Sequence, residues 1–443
     1  MGKSKNKNPE EYTITNRAWE VLFKRYDILN KVKENGFYQI KSKTIKEVRE
    51  PRLMAKFDHK ANLPYIFKKD NLSILPISRS EYIIGEFDAF QKVKYDSKVK
   101  PQTVDIPSHI TTIDPSNLYS ESSALHCATV SGMINDLLGE EAVQTVSGRM
   151  SSKQFDFTIS TKSGVDKRID IKNSQVEIDG GYESDSYFMI VEAKKGTVDD
   201  FMVRQLYYPY RLWEKQTSKE VKPVFFTHSN DVFSFFIYEF KDLGKYNSLS
   251  LVEQKDYTFK HEEIELYDIL SVLETTPILP EPEIPFPQAN NIIRLLDLLE
   301  NLMLNDMERD MITLNYDFNV RQTNYYTDAG RYLGLIEKYQ IKKPNSTKIM
   351  FRLTSEGRRI LELSYKEKRL SIVRKILEHK PFRMALEAYL HNAIRPKKIA
   401  VAEILRDCKI YNVDSQDTFE RRASTVLRWI DWILELQHEF EQK

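Results

Sequence analysis

The stretch 175–196, QVEIDGGYESDSYFMIVEAKKG, decides how this chain reads. Alternation along its second half puts Ile190, Glu192 and Lys194 on one face of a strand and Met189, Val191 and Ala193 on the other. The apolar run YFMIV marks a central strand, and at its end a carboxylate and an ammonium emerge side by side, poorly solvated unless they have partners or a task. Asp179 closes the preceding strand segment, and Gly180 and Gly181 permit a tight return. A hairpin drawn that way brings Asp179 beside Glu192. Glu177 shares the Asp179 face and is the alternative to it, and a surface hairpin closed by a salt bridge is the alternative to a site.

Two converging carboxylates can hold magnesium through oxygen ligands and leave positions open for a phosphate oxygen and a water. Hydrolysis of a phosphodiester needs that arrangement, because charge builds on the pentavalent transition state and water is a weak nucleophile near neutral pH. Lys194 then has two readings: it orients or deprotonates the attacking water, or it counters the phosphate charge. A bare E-x-K is common in a chain that is 30% charged, and Glu253-Gln254-Lys255 is a decoy. Only the Glu192 copy has an apolar strand before it, an Asp-Gly pair upstream and an amphipathic helix after it.

Asp179, twelve intervening residues and then Glu192-Ala193-Lys194 resemble the PD-(D/E)XK nuclease signature, with Ile178 standing where the formula has proline. The resemblance implies that Asp179 and Glu192 bind metal, that the Ala193 carbonyl is a further ligand, and that Lys194 is catalytic. It implies Mg2+ as cofactor, with Mn2+ as a substitute. Glu121, at the start of a helix, is a candidate extra acid by the same resemblance, or a stabiliser of that helix's N-terminus. Gln205-Leu206-Tyr207-Tyr208 resembles the Q-x-x-Y element of exonuclease-like branches, which adds Gln205 to the candidate catalytic residues. Arg204, Gln205, Tyr208 and Arg211 share one helical face, where packing is the competing explanation.

Outward from this segment, the expected fold is α/β: a PD-(D/E)XK-like core with a mixed sheet, an N-terminal α/β DNA-recognition domain and C-terminal winged-helix units. The boundaries read as 1–112 for a basic N-terminal domain, 113–275 for the core and 276–288 for a Pro-rich linker. A winged helix follows at 289–365, and a second helical unit at 366–443. A chain of 443 residues is too long for one ordinary core. Charge divides unevenly: residues 1–60 hold 15 Lys and Arg against 8 Asp and Glu, residues 341–410 hold 18 against 7, and residues 171–310 hold 14 against 26. That is the expected pattern if the flanks hold a polyanion and the middle a cation, although solvated helix faces produce the same imbalance.

No segment offers the roughly 18 uninterrupted apolar residues of a membrane span. The N-terminus lacks the apolar stretch of a secretory signal, and two cysteines form no disulfide framework, so a reducing cytoplasm is the expected setting, a prokaryotic one by what the nuclease resemblance implies. For double-stranded DNA, the candidate contacts are Arg49, Arg52 and Lys56 on a Pro-stiffened element, and Arg321, Gln322, Thr323 and Asn324 at a helix start. Lys348 and Arg352 on a wing complete the set. The layout is similar to that of multidomain type II restriction endonucleases, which implies a homodimer during cleavage and a cognate DNA methyltransferase as functional partner. Rival readings are a noncatalytic DNA-binding regulator on a nuclease-like core, and an end-processing repair nuclease.

Overall fold

The computed structural model describes residues 14–316, 318–343, 346–411 and 413–438. The outermost ends of the first and last expected units, 1–13 and 439–443, lie outside the described residues. The chain is mixed α/β and is organised around a seven-stranded mixed sheet. In spatial order its strands are Gln102–Val104, Leu249–Phe259, Val232–Phe240, Glu220–Ser229, Tyr187–Lys195, Gln175–Glu183 and Val143–Ser151. Tyr187–Lys195 runs parallel to Glu220–Ser229, with helix Arg204–Trp213 in the crossover, and antiparallel to Gln175–Glu183.

The alternation expected from the sequence is visible in the packing. Ile190 and Phe188 join the core beneath helix Arg204–Trp213, whereas Met189, Val191 and Ala193 join the opposite core beneath helices Glu121–Val130 and Met133–Leu138. Ser120 caps the first of those helices through a reciprocal bond with Ser123.

The turn differs from the expectation. Gly180 and Gly181 lie inside the strand, opposite Val191 and Ile190, and the chain reverses at residues 184–186. These glycines serve close packing rather than a bend: a Cβ on Gly181 would lie 2.9 Å from the Val146 Cβ and 3.1 Å from the Phe188 ring. Asp179 still falls beside Glu192, because the register carried one residue past Gly180 and Val191 pairs those two positions.

The boundaries also move. Strand Phe90–Lys92 pairs with Asp200–Met202, and Gln102–Val104 joins the large sheet, so residues 85–112 belong with the core. The N-terminal unit is a three-stranded antiparallel sheet (Phe37–Lys41, Glu81–Gly85, Ser73–Pro76) packed on helices Ile14–Tyr26 and Ile28–Asn35. From Ile264 to Leu436 one continuous apolar core unites what the sequence divides at residue 365. The Pro-rich segment is extended but fastened to this unit: the Leu279 amide donates to the Glu378 carbonyl at 2.8 Å, Phe286 stacks on Phe382, and the Trp429 indole donates to the Ala289 carbonyl. No helix among the described residues is long and apolar enough to cross a membrane.

Candidate functional site

Glu192 and Lys194 stand at the carboxyl end of a strand inside a mixed sheet, where ligands of open α/β sheets gather. Glu192 is buried, and one of its oxygens accepts both from the Lys194 ammonium and from the Gln205 side-chain amide. The ammonium also donates to the Ala193 carbonyl at 3.2 Å. On the neighbouring strand, Asp179 accepts the Ala193 backbone N–H at 2.8 Å. Glu121 opens its helix and lines the same cleft as Asp179, Glu192 and Lys194. Asp179, Glu192, Ala193, Lys194, Gln205 and Glu121 therefore meet in one place.

Burial pushes the Glu192 carboxyl well above the usual carboxylate range; Lys194 opposes this and the neighbouring Asp179 charge adds to it. Glu121 is raised by burial, against Lys194 and with Asp179. Burial works against the Lys194 ammonium, but the carboxylates of Glu192, Glu121, Asp58 and Asp179 outweigh it and push its pKa above the usual lysine range.

These residues floor a cleft of about 670 Å³ walled by all three parts of the chain. The N-terminal unit contributes Arg52, Lys56, Asp58 and Arg79, the core Arg149 and Arg204, and the C-terminal unit Asn301, Leu304 and Tyr316. Arg52 and Lys56 were expected contacts. Asp58, Arg79 and Arg149 were not, since each reaches the cleft from a loop or a sheet edge and nothing in its local pattern says so. Glu177 is held at the cleft's margin by the Arg149 guanidinium at 3.1 Å.

Other expected residues lie elsewhere or are engaged. Arg49 donates to the Thr15 hydroxyl at 2.5 Å. The Tyr208 hydroxyl donates to the Pro76 carbonyl, and Arg211 is buried against the Asp156 and Leu243 carbonyls, so packing explains both. Helix Val320–Tyr332 starts with a reciprocal cap in which Gln322 receives the Asn319 N–H at 2.9 Å. Thr323 has no exposed surface and its hydroxyl is bonded to Thr313 at 2.8 Å, which leaves it no reach to a base edge. Arg321 is exposed and donates to the Tyr325 hydroxyl, and Asn324 is half-buried. Lys348 is paired with Glu308, and Arg352 with Glu337 at 2.7 Å.

Three family models match in tandem. Residues 16–84, 85–258 and 294–438 are similar to families each described as a domain of unknown function (DUF6996, DUF6997 and DUF7226 respectively). No curated protein and no solved structure matches the chain. The edges of these matches fall where the sheet pairing and the apolar cores divide the molecule, at about residue 85 and between the core and the C-terminal unit.

Among the described residues no three His, Cys, Asp or Glu groups form a ready-made metal cage. The donors around Asp179 are nonetheless those a hard cation takes: two carboxylates and a backbone carbonyl on adjacent positions. The Gln205 Oε1 is also buried without a hydrogen-bond partner among the described residues. A cation taking these donors would have to displace the Lys194 ammonium from both Glu192 and the Ala193 carbonyl.

Proposed function

We propose that this chain is a magnesium-dependent endonuclease that hydrolyses phosphodiester bonds in double-stranded DNA, resembling PD-(D/E)XK enzymes of the type II restriction kind. The observation that carries the reading is the joining of Glu192-Ala193-Lys194 to Asp179 through the Ala193 amide, on the floor of a cleft with cationic walls. Asp179, Glu192 and the Ala193 carbonyl would hold Mg2+, which supplies charge neutralisation and an activated water when bound. Lys194 stays protonated among carboxylates, which favours the electrostatic role over that of a base. Arg52, Lys56, Arg79 and Arg204 would neutralise the DNA backbone along the cleft.

The succession of helix Ile292–Leu302, strand Met307–Glu308, helices Arg309–Asn315 and Val320–Tyr332, and hairpin Ile336–Lys343 with Ser346–Leu353 supports a winged helix. In that reading Arg321 and Asn324 remain available for base contact. Cutting both strands with one centre per chain calls for two copies, and the restriction reading carries a cognate methyltransferase and a prokaryotic cytoplasm with it.

The test is incubation with unmethylated supercoiled plasmids and Mg2+. Discrete fragments are expected, with the Lys194→Ala variant still binding DNA but leaving it intact. Intact DNA across many sequences and metals would reject the proposal. The contact of Gln205 with Glu192 favours one second reading, an end-processing nuclease, for which linear DNA is degraded while closed circles survive.

A further inference from the structure

Asp58 belongs to no motif, yet it is the carboxylate that the N-terminal unit brings into the same cleft as Glu192 and Lys194. Its side chain is 17% exposed and lies 3.6 Å from the Lys56 ammonium. Burial works against its ionised form, but Lys194, Lys56 and Arg204 hold its carboxyl below the usual range. The loop that carries it is fastened on both sides. The Asp58 carbonyl accepts the Met202 N–H at 2.9 Å, the buried His59 ring hydrogen-bonds the Asp200 carbonyl at 2.5 Å, and the Lys60 N–H donates to the Asp200 carboxylate at 2.9 Å. Four residues after Asp58, the Asn62 side-chain amide donates to the carbonyls of Thr313, Tyr316 and Phe318 at 2.5, 2.9 and 3.3 Å. Such fastening is unlike that of a surface acid on a free loop.

Lys194 now rests on Glu192, the residue a divalent cation would need. A cation bound there sets the ammonium loose in a confined space, where an unpaired charge is costly and a second cation repels it. We propose that Asp58 is a positioning residue that receives the Lys194 ammonium when a divalent cation occupies Asp179 and Glu192, so that the N-terminal unit completes the hydrolytic centre. The inference rests on the metal-site reading above and adds to it a task for a residue outside the core.

The test is calorimetric titration of the full chain with Mn2+ near neutral pH, using the wild type, Asp58→Asn, Lys194→Met and the double variant. Removing the ammonium removes the competitor, so Lys194→Met is expected to bind Mn2+ at least as well as the wild type. Asp58→Asn is expected to weaken binding about tenfold in the wild-type background and to change it less than about twofold in the Lys194→Met background. Equal weakening in both backgrounds would show that Asp58 acts directly on the metal or on the fold, and no weakening in either would show it idle; each result overturns the proposal. Absence of Mn2+ binding by the wild type would instead overturn the metal-site reading, and this inference with it. Melting is followed in parallel. If Asp58→Asn loosens the loop, Asp58→Glu, which keeps the anion, is expected to preserve most of the coupling, and its failure to do so counts against the proposal.

Discussion

Replacing Lys195 by methionine tests whether strand Tyr187–Lys195 and the C-terminal unit are held together by buried charge. Lys195 follows Lys194 but points into the seam, where its ammonium meets Glu300 at 2.5 Å and the His228 Nδ1 at 3.0 Å. The side chains of Lys195 and Glu300 are only 4% and 9% exposed, so solvent screens the pair little. Removing one partner of such a pair leaves the other charge buried, at a cost of roughly 3–5 kcal/mol. Lys368 and Arg369 also act on Glu300 and remain in the variant, which places the expected loss near the lower figure, about 3 kcal/mol. Glu300 and Asp297 both sit on helix Ile292–Leu302, so the loss falls on docking rather than on either core. The assay is guanidinium unfolding with limited proteolysis between residues 260 and 291, reading the first transition because a chain of several units need not unfold in one step. Lys195→Met is expected to advance that transition and hasten cleavage, and adding Glu300→Gln should restore most of the loss by removing the stranded charge. A Lys195→Met transition within about 1 kcal/mol of the wild type, or no recovery in the double variant, would refute the argument.

Asp297 is buried in the same seam, where burial and then the Glu300 charge push its carboxyl up to about 6 from 3.8. The folded state therefore holds a proton that the unfolded chain has released, and stability falls as pH rises from about 4 through about 6, by about 3 kcal/mol in all. Asp297→Asn is expected to remove that part of the slope in pH-dependent unfolding, and an unchanged slope would contradict the assignment. Gly181→Ala should cost about 1–3 kcal/mol in thermal unfolding, because the added methyl group overlaps Val146 and Phe188; a neutral result would mean the strands yield there. Replacing Arg52, Lys56 and Arg79 together by alanine is expected to flatten the salt dependence of DNA binding by about two to three in log–log slope. A slope equal to that of the wild type would place the DNA elsewhere.

Local pattern was enough for the strand that carries Glu192 and Lys194, since a period of two separates its faces whatever packs on them. It was also enough to set Asp179 beside Glu192, although through the wrong turn. The apolar run demanded a central strand, and any antiparallel return of suitable length brings the preceding acid close. What the two glycines were for could not be read, because a strand glycine and a turn glycine look alike until Val146 and Phe188 crowd them. The residues that open helix Val320–Tyr332 show the same limit: Gln322 and Thr323 have side chains that could pair with bases, and only the cap with Asn319 and the contact with Thr313 reveal how they are used.

By itself, then, the sequence determined the α/β character, the central strand and the pairing of an acid with an E-x-K, all of which follow from residues near one another in the chain. Tertiary structure decided that Asp58, Arg79 and Arg149 share a cleft with them, that residues 85–112 join the core, and that the Pro-rich segment is pinned rather than free. The physical reason is that these features depend on contacts across tens to hundreds of residues, such as Asn62 on Tyr316 or Lys195 on Glu300, and no local periodicity encodes which distant surfaces will meet.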